Sequence, residues 1–162
     1  MGILFRLIGR VPAALAGVML FCGAALADCA PGLVDIRGDF GTVRFRVELA
    51  RTPEEQARGL MFREEMPRLS GMLFVYDRPR DVAFWMRNTL IPLDMIFLDA
   101  AGRIARIHEN AVPLDETPIR AGAPTLAVLE INGGMAATLG LDAGDELRSP
   151  AMPQDAAAWP CD

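Results

Sequence analysis

Asp94-Met95-Ile96-Phe97-Leu98-Asp99-Ala100-Ala101-Gly102-Arg103-Ile104-Ala105-Arg106-Ile107-His108 is the stretch that decides the fold. Two short apolar runs, Asp94–Leu98 and Arg103–His108, flank Asp99-Ala100-Ala101-Gly102. An Asp that bonds its own backbone and a Gly free to take a left-handed turn make this a β-hairpin signal. Runs of this length suit strands, not helices.

Upstream, Leu33–Arg37 and Thr42–Leu49 read as a second hairpin across Gly38-Asp39-Phe40-Gly41. Val43, Phe45, Val47 and Leu49 alternate there with Arg44, Arg46 and Glu48, the pattern of a half-buried strand. Thr52-Pro53-Glu54-Glu55 supplies an N-cap hydroxyl, a proline at the first helical position and a Glu at the third, so a short helix starts there and Gly59 ends it. Met72–Tyr76 and Val82–Arg87 are predicted strands on either side of a turn at Asp77-Arg78-Pro79-Arg80. Downstream, Leu126–Ile131 is a further apolar strand, Asn132 is placed to cap a short helix ending at Gly140, and Glu146–Arg148 is the last strand. The predicted class is α+β, mainly β: a compact antiparallel sheet or barrel with two short helices.

Composition agrees with one globular domain. Of 162 residues, 52% are hydrophobic, too many for a disordered chain, and 15 Gly with 12 Pro exclude a long bundle or coiled coil. Every basic residue is Arg; 16 of them against 21 acids leave a net charge of -5. That balance argues against a nucleic-acid partner and against anchoring to anionic lipid.

The N-terminus points to export. Arg6 and Arg10 are followed by an apolar stretch over 11–26 and the small residues Ala25 and Ala27, so residues 1–27 read as a signal peptide and 28–162 as a single β-rich domain. An uncleaved anchor is the alternative. After cleavage no segment is long and apolar enough to span a membrane, and the expected location is periplasmic or secreted. Cys22 leaves with the signal, which pairs Cys29 with Cys161 as an expected disulfide worth about 4–5 kcal/mol in the chain-entropy picture. Unpaired thiols on two loose tails are the other possibility.

Gly59-Leu60-Met61-Phe62-Arg63, Gly71-Met72-Leu73-Phe74, Phe84-Trp85-Met86-Arg87-Asn88-Thr89 and Ile91-Pro92-Leu93-Asp94 together resemble the domain of unknown function 192 family, over roughly residues 43–148. The resemblance extends to Val128-Leu129-Glu130 and to the turn from Gly140 to Asp145. It implies a small, often exported β-rich domain and supplies no activity. Arg87 stands where such proteins often carry Lys, and the cysteine-bearing ends are peculiar to this chain.

Phe84–Asp94 has the composition of a site. Arg87, Asn88 and Thr89 put a cation, an amide and a hydroxyl on one loop beside Trp85, with Asp94 following, a set suited to gripping a sugar ring or a carboxylated fragment. Arg63 is the other ligand-binding candidate. A structural reading of the same residues has Asn88 and Thr89 capping a tight turn, Arg87 paired with Asp94, Trp85 in the core and Arg63 bridged to Glu64 or Glu65.

Catalytic and metal chemistry are harder to assemble. Ser70 and Ser149 lack a nucleophile-elbow setting, and His108 is the one His, so no triad is expected. Asp77, Asp94, Asp99 and Glu109 are the acids that a two-carboxylate hydrolase would have to bring together, and His108-Glu109 is a weaker acid and base pair. Asn132-Gly133-Gly134 before a helix is a weak phosphate cradle. Met61, Met66, Met72, Met86, Met95, Met135 and Met152 are dispersed in apolar surroundings, so no Cu(I) site is expected. The expectation is a monomeric, noncatalytic binder of a small molecule or glycan without cofactor or metal; a hydrolase and a structural or protein-interaction module are the alternatives.

Overall fold

The structure, a computed structural model, describes residues 29–161. The expected signal peptide and its cleavage point at Asp28 lie outside the described residues. The elements run β1 (Leu33–Gly38), β2 (Gly41–Ala50), α1 (Pro53–Arg58), β3 (Ser70–Arg80), β4 (Ala83–Phe84), β5 (Leu93–Leu98), β6 (Ile104–Ala111), β7 (Ile119–Arg120), β8 (Thr125–Asn132), α2 (Met135–Leu139) and β9 (Glu146–Arg148).

Seven strands form one sheet in the order β6-β5-β8-β3-β2-β1-β9, curled into a half-barrel. Its two edges meet at one corner. There Arg103 and Glu146 bridge, the Ile104 N–H donates to the Asp145 carbonyl at 2.8 Å, and the Leu147 N–H donates to the Gly102 carbonyl at 2.8 Å. Gly102 has φ 78°, and a Cβ there would stand 2.7 Å from the Leu147 carbonyl oxygen, so turn and closure both need Gly. Asp99 holds the same turn by accepting from the Ala101 and Arg103 N–H groups at 2.8 and 2.9 Å.

The sheet is mainly antiparallel, as expected, with β2 and β3 paired in parallel across α1. The capping box is formed: Thr52 accepts from the Glu55 N–H, and Glu55 accepts from the Thr52 N–H. Two predicted boundaries are corrected. Asp77–Arg80 is not a turn, because β3 continues through it past a bulge to pair Arg80 with Thr125. Val82–Arg87 is not a full strand either: only Ala83 and Phe84 pair, with the unforeseen β7, before Met86 donates its N–H to the Asp115 carbonyl and Asn88 turns left-handed at φ 54°.

Strand parity sends side chains into two apolar layers. Inside the curl pack Val34, Ile36, Phe45, Val47, Leu73, Ile96, Leu98, Leu129, Ile131 and Leu147. On the outer face pack Leu60, Met72, Phe74, Tyr76, Met86, Leu93, Met95, Phe97 and Val128. Both faces of β5 and β8 are therefore buried, which is why they read as unbroken apolar runs. Met135 and Met152 pack in the inner layer, and Met72, Met86 and Met95 in the outer one with Met66 against it.

Cys29 and Cys161 are joined by a disulfide with their Cα atoms 5.6 Å apart. Nearby, Trp159 lies against the guanidinium groups of both Arg37 and Arg148. Arg148 in turn shares the buried Asp35 carboxylate with Arg44, at 3.0 and 2.6 Å. Burial alone would raise the Asp35 carboxyl, but hydrogen bonds and charge from these two arginines bring it below the usual range.

Candidate functional site

A cleft of about 450 Å³ opens over the outer layer, between α1, β3, the Ala83–Thr89 segment and β8. Phe74, Tyr76, Phe84 and Trp85 make its walls with Leu60 and Met61; Arg58, Arg80 and Glu130 are its charged residues.

Glu130 sits on the cleft floor because of strand parity. Ala127, Leu129 and Ile131 of β8 face the inner layer, so Val128 and Glu130 face outward. Its cross-strand neighbours are Met72 and Met95, which offer its carboxyl no partner. The residue is 4% exposed, lines the cleft, and makes no hydrogen bond with any described residue. Burial pushes its pKa up to about 8. Near neutral pH it is thus mostly an uncharged acid, able to donate as well as accept. Burial likewise raises the Tyr76 hydroxyl, whose ring lies 4.2 Å under the Arg80 guanidinium.

Four of the six expected site residues gather at one rim. Trp85 and Thr89 line the cleft. Trp85 is 46% exposed with the Arg87 guanidinium 5.6 Å from its ring. Asn88 donates its amide to Met61 Sδ at 3.9 Å while its carbonyl accepts the Phe62 N–H at 2.8 Å. Thr89 is buried, and its carbonyl accepts the Leu114 N–H at 3.1 Å. Arg63 stands apart, paired with Glu48 at 2.5 Å and not with Glu64 or Glu65.

Asp94 faces away from this group. Leu93, Met95 and Phe97 point to the outer layer, whereas Asp94 points with Ile96 and Leu98 to the inner side and is fully buried. Its carboxylate accepts from the N–H groups of Asn110 at 2.8 Å, Gly134 at 2.9 Å and Ala136 at 2.7 Å. It caps α2 from across the chain. Asn132, expected in that role, instead donates its amide to the carbonyls of Met66 and Pro67. The Asn132-Gly133-Gly134 segment, a weak phosphate cradle in the sequence, gives its Gly134 N–H to this carboxylate and its Gly133 N–H to the Pro92 carbonyl.

Of the acids that a hydrolase would need, two are held apart. Asp94 and Asp99 lie at opposite ends of β5, about 17 Å apart for a strand of six, and both are committed to backbone amides. His108 shares a cross-strand row with Met95 and Glu130, so Met95 stands between the two titratable groups. Among the described residues no three His, Cys, Asp or Glu side chains gather as a metal set.

Residues 34–149 match the family model of DUF192, described as Uncharacterized ACR. The chain belongs to the DUF192 family. The match takes in β1 and ends just past β9, leaving both cysteines of the disulfide outside it. Among solved structures, a DUF192 chain such as this is similar to a protein of unknown function from Novosphingobium aromaticivorans DSM 12444. The two are 54% identical over 72% of this chain and 83% of that one, with a TM-score of 0.71. It is also similar to a putative transcription regulator from Sinorhizobium meliloti 1021, at 40% identity over 79% of this chain and all of that one, with a TM-score of 0.73. No curated protein matches.

The cleft residues that sequence reasoning missed are Glu130, Tyr76, Arg58 and Arg80. One signal was available: a lone acid inside the otherwise apolar run Leu126–Ile131 of this DUF192 chain. Arg58 and Arg80 read as ordinary surface cations, since nothing local shows that α1 and the end of β3 flank the same opening.

Proposed function

We propose that this DUF192 chain is an exported envelope protein, periplasmic or secreted, that binds a small molecule or glycan fragment as a monomer and performs no chemistry on it. The observation that carries the binding reading is Glu130: almost withdrawn from solvent, unpartnered among the described residues, and lining an open cleft. No buried side-chain oxygen or nitrogen among the described residues lacks a partner, so the Glu130 carboxyl oxygens, which make no hydrogen bond, reach solvent through the cleft and are open to a molecule that enters it. Aromatic walls and a few polar groups are the ordinary make-up of a small-molecule site.

Glu130 is the one carboxylate among the described residues that line the cleft, which favours binding over two-carboxylate hydrolysis. The description of the Sinorhizobium relative brings no duplex-binding role here, because 21 acids against 16 arginines give the wrong sign of field. Export is supported by Arg6, Arg10, the apolar stretch and Ala25 and Ala27, together with a disulfide of the kind kept in oxidising compartments. Among the described residues no helix is long and apolar enough to cross a membrane.

Expressed with its own N-terminus in a bacterial host, the protein is expected in the periplasmic fraction with an intact mass beginning at Asp28. A cytoplasmic product that keeps Met1 would sink the export reading. Trp159→Phe leaves Trp85 as the one fluorescent indole, placed at the cleft rim. Titration of that variant with galacturonate, N-acetylglucosamine and phenylacetate is expected to give a saturable change with at least one of them, lost in Glu130→Leu. Silence with all three overturns the cleft as a binding site.

A further inference from the structure

The cleft also carries information about the charge of what it binds. We infer that its ligand is an acid, a carboxylate on an apolar or ring-shaped body, held with the negative end between the Arg58 and Arg80 guanidinium groups and the carboxyl of Glu130. This inference rests on the binding reading above and deepens it.

Charge at the opening comes first. Arg58 and Arg80 line the cleft, and neither forms an ion pair with a described residue. Arg87 adds a third cation at the Trp85 rim. Glu130 is the carboxyl facing them, and burial keeps it mostly neutral at pH 7. The field an entering molecule meets is therefore positive, which draws anions in and turns cations away.

The aromatic surfaces agree. An organic cation would seek the open faces of Tyr76 and Trp85, yet the Arg80 guanidinium already covers the first at 4.2 Å and Arg87 approaches the second at 5.6 Å. What remains for a ligand body is the apolar lining of Leu60, Met61, Phe74 and Phe84. A neutral Glu130 then acts as a hydrogen-bond donor to the anion, a role that an ionised carboxylate cannot take.

The groups facing Glu130 are Arg58 from α1, Tyr76 and Arg80 from β3, and the uncharged Ala83, Phe84 and Trp85 from the segment around β4; β5 presents Met95. Burial holds the Tyr76 hydroxyl above its usual range, so Glu130 is the group that titrates in the cleft between pH 6 and 9. An anion beside Glu130 favours its protonated form, so binding takes up a proton. A cation would do the reverse.

Calorimetric titration of the full exported protein with phenylacetate, phenylacetamide and benzyltrimethylammonium at pH 6, 7.5 and 9 decides between them, since each probe keeps its charge over that range. Phenylacetate is expected to bind at least tenfold more tightly than the amide. Its affinity should fall as pH rises, steepening toward about tenfold per pH unit above the Glu130 titration. Glu130→Gln, which mimics the protonated acid, should keep the pH 6 affinity and lose the pH dependence, whereas Arg80→Gln and Arg58→Gln should each weaken phenylacetate tenfold or more. Preference for benzyltrimethylammonium, with affinity rising with pH and abolished in Glu130→Gln, overturns the acid inference and leaves the binding reading standing. No heat with any of the three overturns both.

Discussion

Glu130 and Asp94 are both buried acids on neighbouring central strands, yet their surroundings give them opposite roles. Asp94 is satisfied by three backbone amides and belongs to the architecture. Glu130 has none, and that makes its effect on stability pH-dependent. Burial raises its folded pKa to about 8 from an ordinary 4.5. The folded protein therefore binds a proton that the unfolded chain releases, and stability falls as pH climbs from 4.5 through 8. In Glu130→Gln this loss is absent. Urea unfolding at pH 5 and pH 8.5 is expected to give similar midpoints for the two proteins at the lower pH, and at the higher pH a variant more stable by an amount on the order of a few kcal/mol. An equal difference at both pH values would show that the carboxyl is not held neutral.

At the scale of elements, α2 depends on a residue forty positions away. The helix is short, Gly134 provides no side-chain cap, and Asp94 supplies acceptors to its first turn. The same carboxylate takes the Asn110 N–H, so β5, β6 and α2 are tied through one side chain. Asp94→Ala leaves three donors to find other partners and is expected to destabilise by about 3 kcal/mol or more. A urea midpoint within error of the wild type would mean that water replaces the carboxylate without cost. α1 contrasts with this, since its capping box is entirely local and was legible from Thr52, Pro53 and Glu55 alone.

Across the whole molecule, the disulfide closes the described chain from end to end, over a sequence separation of 132. Restricting so long a loop in the unfolded chain is worth about 4–5 kcal/mol in the chain-entropy picture. The Cys29→Ser, Cys161→Ser protein is expected to keep its fold, because nearly all of the two apolar layers lies within the family span, and to lose stability of that order. Thermal unfolding of the oxidised protein against this double variant checks it. Equal melting temperatures would show that the covalent tie adds nothing to the packing of Trp159 against Arg37 and Arg148.

What the sequence determined by itself was much of what depends on neighbours along the chain, though not the Asp77–Arg80 segment or the cap of α2. The hairpin around Asp99 and Gly102, the alternation of Val43 to Leu49, the capping box of α1 and the mainly β class all follow from local turn chemistry and period-two burial. The rim from Trp85 to Thr89 was also legible, through an unusual mixture of side chains on one loop. Tertiary structure alone decided which face each residue serves. A shift of one position along a strand reverses its direction, so Asp94 went to the inner layer while Met95 and Glu130 went to the outer one. It also decided that β2 and β3 run parallel, that β3 extends to Arg80, and that Arg58, Arg80 and Glu130, from three separate elements, share a single opening. Those are consequences of packing between distant segments, and the pattern within any one segment does not contain them.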